Sequence, residues 1–358
     1  MNRDWAKFLL TTDNVSGAGF DETAPAVADL VFAGDHQPVA SESVCDLSAD
    51  ALLHITGADA ESFLQGQFSN DVAKLTVHSS QLNTWSTPKG RVLSLFRLYR
   101  LEDGFLLKLP VSQTDAVVKR LRMFVLRAAV QIDIISDQVA IGVSGTGASE
   151  KLREFCGELP DTVDACVFKD GLLVARVRSA LPSLDIPRYE IAGPVGQLET
   201  LWLSLADQCQ VCSEARWRLQ NIDAGVPAIG ESTSEAFVLQ MLNLNHIDGV
   251  SFKKGCFPGQ EVVARMQYLG KLKRRMYRTS VNTSDDAEPP LPGAEIYTEG
   301  SNSAVGKIVD AQMDGNGESR MLAVLAIESA AKPLTVGKEQ GLPVTILELP
   351  YDIPAQAE

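Results

Sequence analysis

The chain has 358 residues, 45% hydrophobic and 22% charged, the profile of a soluble globular protein of two or three domains. No apolar run approaches the ~20 residues that span a bilayer, and no apolar segment of signal-peptide length follows Arg3, Asp4 and Lys7, so we read the protein as cytoplasmic, with no membrane partner. A net charge of −14 argues against general affinity for nucleic acid, and six cysteines in a chain this long do not make a disulfide framework.

In chain order, Trp5 to Leu10 reads as a short helix, followed by a loosely patterned stretch to about residue 44. A helix is expected over Ala58 to Gln65, then strands over Gln81 to Trp85 and Arg91 to Leu101. Asp103-Gly104 supplies a hairpin turn into Phe105 to Leu109. Ser112 with Asp115 resembles a capping box, and Val117, Val118, Leu121, Phe124 and Val125 follow at helical spacing. Val130, Ile132 and Ile134 alternate as a strand. A second set repeats the theme: a strand at Val139 to Val143 and a helix from Ser149 to Leu159. A hairpin about Asp170-Gly171, a strand at Arg188 to Ile191 and a helix over Gln197 to Ala206 follow. Ala215 to Ala224 is expected to be helical, as is Ser234 to Asn243. After an Asp- and Pro-rich linker over Asn282 to Pro292, short apolar segments with frequent Gly and Pro suggest a small β-barrel. Strands followed by helices without repeated βαβ units give an α+β class, not a doubly wound sheet.

Gly142-x-x-Gly145-x-Gly147 lacks the Gly-x-Gly-x-x-Gly order of a dinucleotide loop and reads as a strand-to-helix turn. Cys45, Cys156 and Cys166 lie in apolar surroundings and read as core residues. Cys209-Gln-Val-Cys212 stands alone, and none of the four histidines is spaced to complete a metal site, so no metal is expected. From Lys253 to Arg278 the chain carries eight cations and one acid, Glu261. This positive patch on an acidic body suits an anionic partner, an RNA backbone or a polyglutamate tail.

The most informative stretch is Lys253-Lys-Gly-Cys-Phe-Pro-Gly-Gln-Glu261. It joins Cys256 to neighbouring cations, which favour the thiolate, and to Gly255 and Gly259, which permit sharp turns. Three roles are open to Cys256: nucleophile, ligand to iron or an iron-sulfur cluster, or partner in a transient disulfide. Lys254 is placed to activate the thiol, and Gln260 and Glu261 to orient or deprotonate it; Cys256, Lys254 and Glu261 are the candidate catalytic set.

This nonapeptide resembles the signature of the YgfZ family, folate-binding proteins linked to tRNA modification and related to the T-protein (aminomethyltransferase) of glycine cleavage. The resemblance extends to Ile55-Thr56-Gly57-Ala58-Asp59, Phe63-Leu64-Gln65-Gly66-Gln67, Asn70-Asp71-Val72, Pro88-Lys89-Gly90-Arg91, and Trp217-Arg218 with Asn221-Ile222. It implies two related α+β units around a central folate pocket plus a small C-terminal β-barrel. The boundaries are an extension at 1–44, a first unit at 45–135, a second at 136–280 that carries the cysteine signature and interleaves with the first, and the barrel at 281–358. It further implies tetrahydrofolate or a derivative as cofactor. Trp217 would stack the pterin, and Lys89, Arg91, Asn70, Asp71 and Gln240 would complete the folate site. Gly255, Phe257, Gly259 and Gln260 would shape the signature loop. The implied function is support of iron-sulfur enzyme maturation or repair and tRNA modification, with iron-sulfur proteins such as tRNA-thiolating enzymes as partners and tRNA as a possible contact. Two alternatives stay open: a folate-dependent aminomethyl transferase, and an RNA- or protein-binding module using the 253–278 patch. The second tryptophan that the family often carries before the Ile-Thr-Gly block is replaced here by Ser48-Ala49-Asp50-Ala51.

Overall fold

The computed structural model describes residues 2–17, 30–38, 40–179, 186–283, 288–338 and 341–354. Its elements are α1 (Arg3–Leu9), β1 (Val15–Gly17), β2 (Leu30–Phe32), β3 (Ser43–Asp46), β4 (Asp50–Thr56), α2 (Ala60–Gln67), β5 (Ser80–Ser86), β6 (Val92–Leu101), β7 (Gly104–Pro110), α3 (Val111–Val125), β8 (Gln131–Ile135) and β9 (Gln138–Ser144). There follow α4 (Thr146–Cys156), β10 (Cys166–Lys169), β11 (Leu172–Arg176), β12 (Arg188–Pro194), α5 (Val195–Ala206), β13 (Gln210–Cys212), α6 (Glu214–Asp223) and α7 (Gln260–Tyr268). The last are β14 (Arg274–Asn282), β15 (Glu295–Thr298), β16 (Ala304–Met313), β17 (Glu318–Ala326), β18 (Leu334–Val336) and β19 (Leu342–Leu347).

The chain folds into two compact units, each built from separated segments. The first comprises Met1–Ala60, Leu75–Ser80 and Arg97–Arg218; the second comprises Glu61–Lys74, Gln81–Phe96 and Leu219–Glu358. Expected boundaries at 44/45 and 135/136 therefore fall inside the first unit, and 280/281 inside the second. Within α2, β5, β6 and α6 the chain passes from one unit to the other, which is why boundaries drawn at loops do not follow the packing.

In the first unit, a six-stranded sheet runs in the order β10-β11-β12-β9-β3-β13. A second layer pairs β7 with β4 and with residues 97–101 of β6, and β8 on the other side of β4. The described part of the amino-terminal extension belongs to this core. Trp5 is fully buried, lies edge-on to Trp202 at 5.6 Å, and donates its indole N–H to Asp46 at 2.9 Å. The loosely patterned stretch expected to residue 44 includes 18–29 and 39, which lie outside the described residues, as do 284–287 of the expected linker.

Several sequence-level expectations are corrected by local geometry. Ser112 does not cap α3: the helix starts at Val111 after Pro110, whose side chain cannot accept a bond. Nor does Ser149 begin α4, which starts at Thr146; Ser149 bonds back to the carbonyl of Gly145 from inside the helix. The cap comes from Glu42, distant in sequence, whose carboxylate accepts from the amides of Gly147 (3.2 Å) and Ala148 (2.7 Å). The Gly142–Gly147 turn therefore already holds an anion at its helix N-terminus, and it is a protein carboxylate. The Asp170-Gly171 hairpin forms as read, both residues in the left-handed region at φ 53° and 86°.

In the second unit, β14-β17-β16-β15-β18-β19 close a barrel. Its first strand lies in the basic stretch and begins at Arg274, ahead of the apolar segments that signal the barrel in sequence. Ser234 to Asn243 is not one helix. It pairs with the start of β6, through Glu235 N–H to Val92 O and Val92 N–H to Phe237 O, and then forms a 3-10 turn over Leu239–Leu242.

Replacing Trp5 with Ala removes a buried aromatic and one of the three hydrogen bonds to the buried Asp46 carboxylate, so chemical denaturation should show stability lower by roughly 3–5 kcal/mol. A loss below about 1 kcal/mol would mean that the extension is peripheral.

Candidate functional site

The signature loop is built in the second unit by two anchors on either side of an exposed thiol. Lys254 is buried and donates to the carbonyls of Gln65 and Phe68, both at 2.5 Å. These are carbonyls at the end of α2, where the helix dipole favours a cation. Burial pulls its ammonium down to about 8 while nearby Asp71 pushes the other way. Phe257 is buried in the core formed by Leu239, Leu242, Val263 and the outward-facing Met276, Leu322 and Val324 of the barrel strands. Gly259 sits at φ 83° back to back with the Pro88–Arg91 turn; a Cβ there would stand 2.6 Å from the Cα of Gly90 and from the carbonyl of Thr87. Only glycine fits that approach. Between these anchors Cys256 and Gly255 are exposed, and nothing lies within 4 Å of where a Cβ on Gly255 would be. The other five cysteines are not exposed, and burial pushes Cys166 and Cys209 up to about 12. An accessible thiol on a firmly held loop can meet a macromolecular partner.

The remaining expected residues are placed as follows. Gln260 opens α7 and Glu261 is exposed in its first turn. Gln240 is buried and donates to Val263 O at 2.6 Å, fixing α7. Asn70 donates to Leu82 O (3.1 Å) and Asp248 O (2.6 Å). Asp71 accepts from Gln65 (2.9 Å) and pairs with Lys74 (3.1 Å), and these bonds and the nearby lysines hold its carboxyl below the usual range against the opposing effect of burial. Arg91 donates to Ala236 O at 2.7 Å, and Lys89 is exposed. The basic patch is smaller than its sequence suggests: Lys254 is committed to carbonyls, and Arg278 faces Asp223 at 3.7 Å. Residues 253–278 form the signature loop, helix α7 and the start of barrel strand β14.

The first unit holds Trp217 in a different setting. Its ring is buried against Gly142, where a Cβ would lie 2.5 Å from Cε3, and the Arg188 guanidinium stands 4.0 Å from the ring centre. Its indole N–H points to Glu190 at 3.4 Å. Glu190 is the residue that sequence reasoning missed. It accepts from Tyr99 OH at 2.7 Å and lies 3.3 Å from Lys108 and 3.8 Å from Arg97. Although burial opposes it, Lys108 and then Arg97 pull its carboxyl down to about 2. The two cations have their own acids, Asp50 for Lys108 (2.5 Å) and Asp164 for Arg97. Both are held charged despite burial, so Glu190 is a permanently ionised acceptor. Asp50 stands in the segment where the family's second tryptophan would be. A separate cleft of about 540 Å³ in this unit, bordered by Asp4, Asp50 and Asp115, includes none of the expected folate residues.

Two consequences can be measured. Lys254→Met should cost roughly 1.5–3 kcal/mol and raise hydrogen exchange over 253–259, while Cys256 alkylation at pH 7 changes less than about threefold, because the ammonium holds the loop. A tenfold fall in alkylation would instead make Lys254 an activator of the thiol. For Glu190, whose folded value of about 2 lies below its ordinary 4.5, the stabilisation is present above pH 4.5 and lost as pH falls towards 2. Glu190→Gln should therefore be most damaging near neutrality, by the order of 3 kcal/mol, with the gap to wild type closing between pH 4.5 and 2 in urea melts. A pH-independent gap would show that the carboxylate's charge contributes nothing.

The chain matches the GCVT N-terminal domain over residues 23–170. It is 31% identical over 325 residues to the tRNA-modifying protein YgfZ of an Enterobacter species, covering 88% of this chain and 97% of that one. Its namesake in Colwellia psychrerythraea is 30% identical over 314 residues, covering 87% and 94%. Among solved structures, the glycine cleavage system aminomethyltransferase T of Bartonella henselae superposes with a TM-score of 0.68 over 88% of both chains at 15% identity, which shows a T-protein-like fold. With relatives at this identity spanning nearly its whole length, the chain belongs to the YgfZ family.

Proposed function

We propose that this protein binds a reduced folate and supports tRNA modification through maturation or repair of the iron-sulfur enzymes that thiolate tRNA, with Cys256 as its reactive thiol. The observation that carries the reading is the exposed Cys256 on a loop pinned by Lys254 and Phe257, within a chain whose relatives are named tRNA-modifying proteins. An exposed thiol with no histidine close to it in sequence suits exchange with another protein or with a cluster that the partner holds, since one cysteine cannot ligate a cluster alone.

The residues of the first unit fit a pterin in part. The amino and ring N–H groups of tetrahydrofolate need a buried acceptor, and Glu190 is ionised with its Trp217, Lys108 and Arg97 partners at 3.3 Å or more, leaving acceptor capacity. Tyr99 fixes one carboxylate oxygen, and the two cations keep the charge in place. Stacking on Trp217 requires Arg188 to swing off the ring. When bound, the folate would supply a one-carbon carrier or a structural effector.

Calorimetry with tetrahydrofolate tests the reading. Wild type should bind, Glu190→Gln about tenfold or more weakly, and Cys256→Ser within twofold of wild type. In cells lacking the native gene, Cys256→Ser should leave thiolated tRNA nucleosides at the knockout level, measured by mass spectrometry. Absence of binding by wild type refutes the folate assignment, and full rescue by Cys256→Ser refutes the role of the thiol.

A further inference from the structure

The carboxyl end of α7 presents an aromatic and an aliphatic side chain to solvent, ringed by cations. Tyr268 is 69% exposed and Leu269 85% exposed. Arg265, one turn back, and Lys271, Lys273 and Arg274, just beyond, are also exposed. No acidic residue occurs from Val262 to Thr283, in a chain whose net charge is −14. Tyr268 is not loose: its ring meets Phe252 at 6.2 Å and 72°, a contact that fixes the ring and covers at most one face. α7 has nine residues, so Tyr268 lies about 13 Å along the helix from the loop that carries Cys256.

A solvated charge run explains the cations but not the large exposed ring held among them. Two apolar side chains make too small a surface for a stable protein interface core. Cations without acids, beside a fixed aromatic face, match the way proteins hold single-stranded nucleic acid: phosphates on the cations and a base on the ring. We infer that the α7 terminus is a docking surface for unpaired nucleotides of an RNA, with Tyr268 stacking one base and Arg265, Lys271, Lys273 and Arg274 holding the flanking phosphates. This deepens the tRNA part of the preceding reading and is independent of folate.

The test is fluorescence anisotropy of a labelled unpaired ribo-oligonucleotide of about twelve nucleotides with the full-length protein at about 50 mM salt. Wild type should bind it more tightly than the same sequence in a duplex. Tyr268→Ala should weaken binding about 5- to 150-fold, the range expected for one lost base stack, while Tyr268→Phe retains it. Lys271→Ala with Lys273→Ala should reduce the salt slope by about 0.7 per lysine. Lys119→Glu with Arg127→Glu, a larger charge change at exposed positions of α3 and the turn after it, should leave affinity within twofold. Tyr268 is exposed enough that Tyr268→Ala should keep wild-type unfolding and wild-type tetrahydrofolate affinity, so loss of RNA binding with folate retained bears on this surface alone. The inference is overturned by no binding at low salt, by Tyr268→Ala binding like wild type, by equal loss in the α3 variant, or by equal affinity for the duplex. Equal competition by polyglutamate would likewise overturn it and assign the surface to an acidic peptide.

Discussion

The second unit depends on cations and amides that reach across long sequence separations to bare carbonyls. It is assembled from three pieces of chain, and no strand register alone could hold the signature loop against α2. The Lys254 ammonium does so, closing 189 residues of sequence to Gln65 O and 186 to Phe68 O. Asn70 to Asp248 O, Arg91 to Ala236 O and Gln240 to Val263 O repeat the device at neighbouring points. In each case a backbone carbonyl is satisfied by a side chain from another segment, and where the bond is buried, as at Phe68 and Val263, a bare carbonyl would cost free energy. The cost of desolvating Lys254 is visible in its lowered proton affinity; what it secures is a loop whose tip is free and whose base is fixed.

The first unit solves a different problem with the same chemistry. Burying Arg97, Lys108, Glu190, Asp50 and Asp164 together is a poor route to stability, because desolvation offsets most of the Coulombic attraction. Its effect is to hold one carboxylate, Glu190, charged and oriented beside Trp217 and Tyr99. A site built this way keeps its charge state over the physiological pH range, which suits recognition of a ligand by hydrogen-bond donors more than it suits proton transfer.

Much of the secondary structure was legible because alternation and helical spacing are local: α1, β5 to β7, β9 to β12 and α5 lie close to where the pattern puts them. What failed was decided by distant partners. Ser112 and Ser149 look like caps, yet Glu42 caps α4 from more than a hundred residues away. Residues 234–243 have helical composition, yet their backbone pairs with β6. β14 was hidden because it opens on Arg274 and Arg275 before its first buried residue, Met276, and carries a half-buried Arg278 beside Asp223. The signature loop was legible as a functional stretch, but the roles within it were not: Lys254, adjacent in sequence to the thiol's loop tip, directs its charge into the protein. Glu190 was invisible because its partners come from three other segments, β6, β7 and α6, each of ordinary composition.

These two halves of the chemistry explain why the cysteine stands where it does. A thiol meant to react with a small bound molecule gains from burial beside a base; Cys256 is exposed and is presented beside an open glycine. Its loop is rigid at Lys254, Phe257 and Gly259, so exposure here is not disorder. Rigid presentation of an unburied thiol reduces the entropy lost when a partner docks, while leaving its reaction partner to be chosen by the surrounding surface. On that surface, cations gather at and beyond the carboxyl end of α7, at Arg265, Lys271, Lys273 and Arg274, so the selection falls to charge and shape outside the loop and not to groups within it.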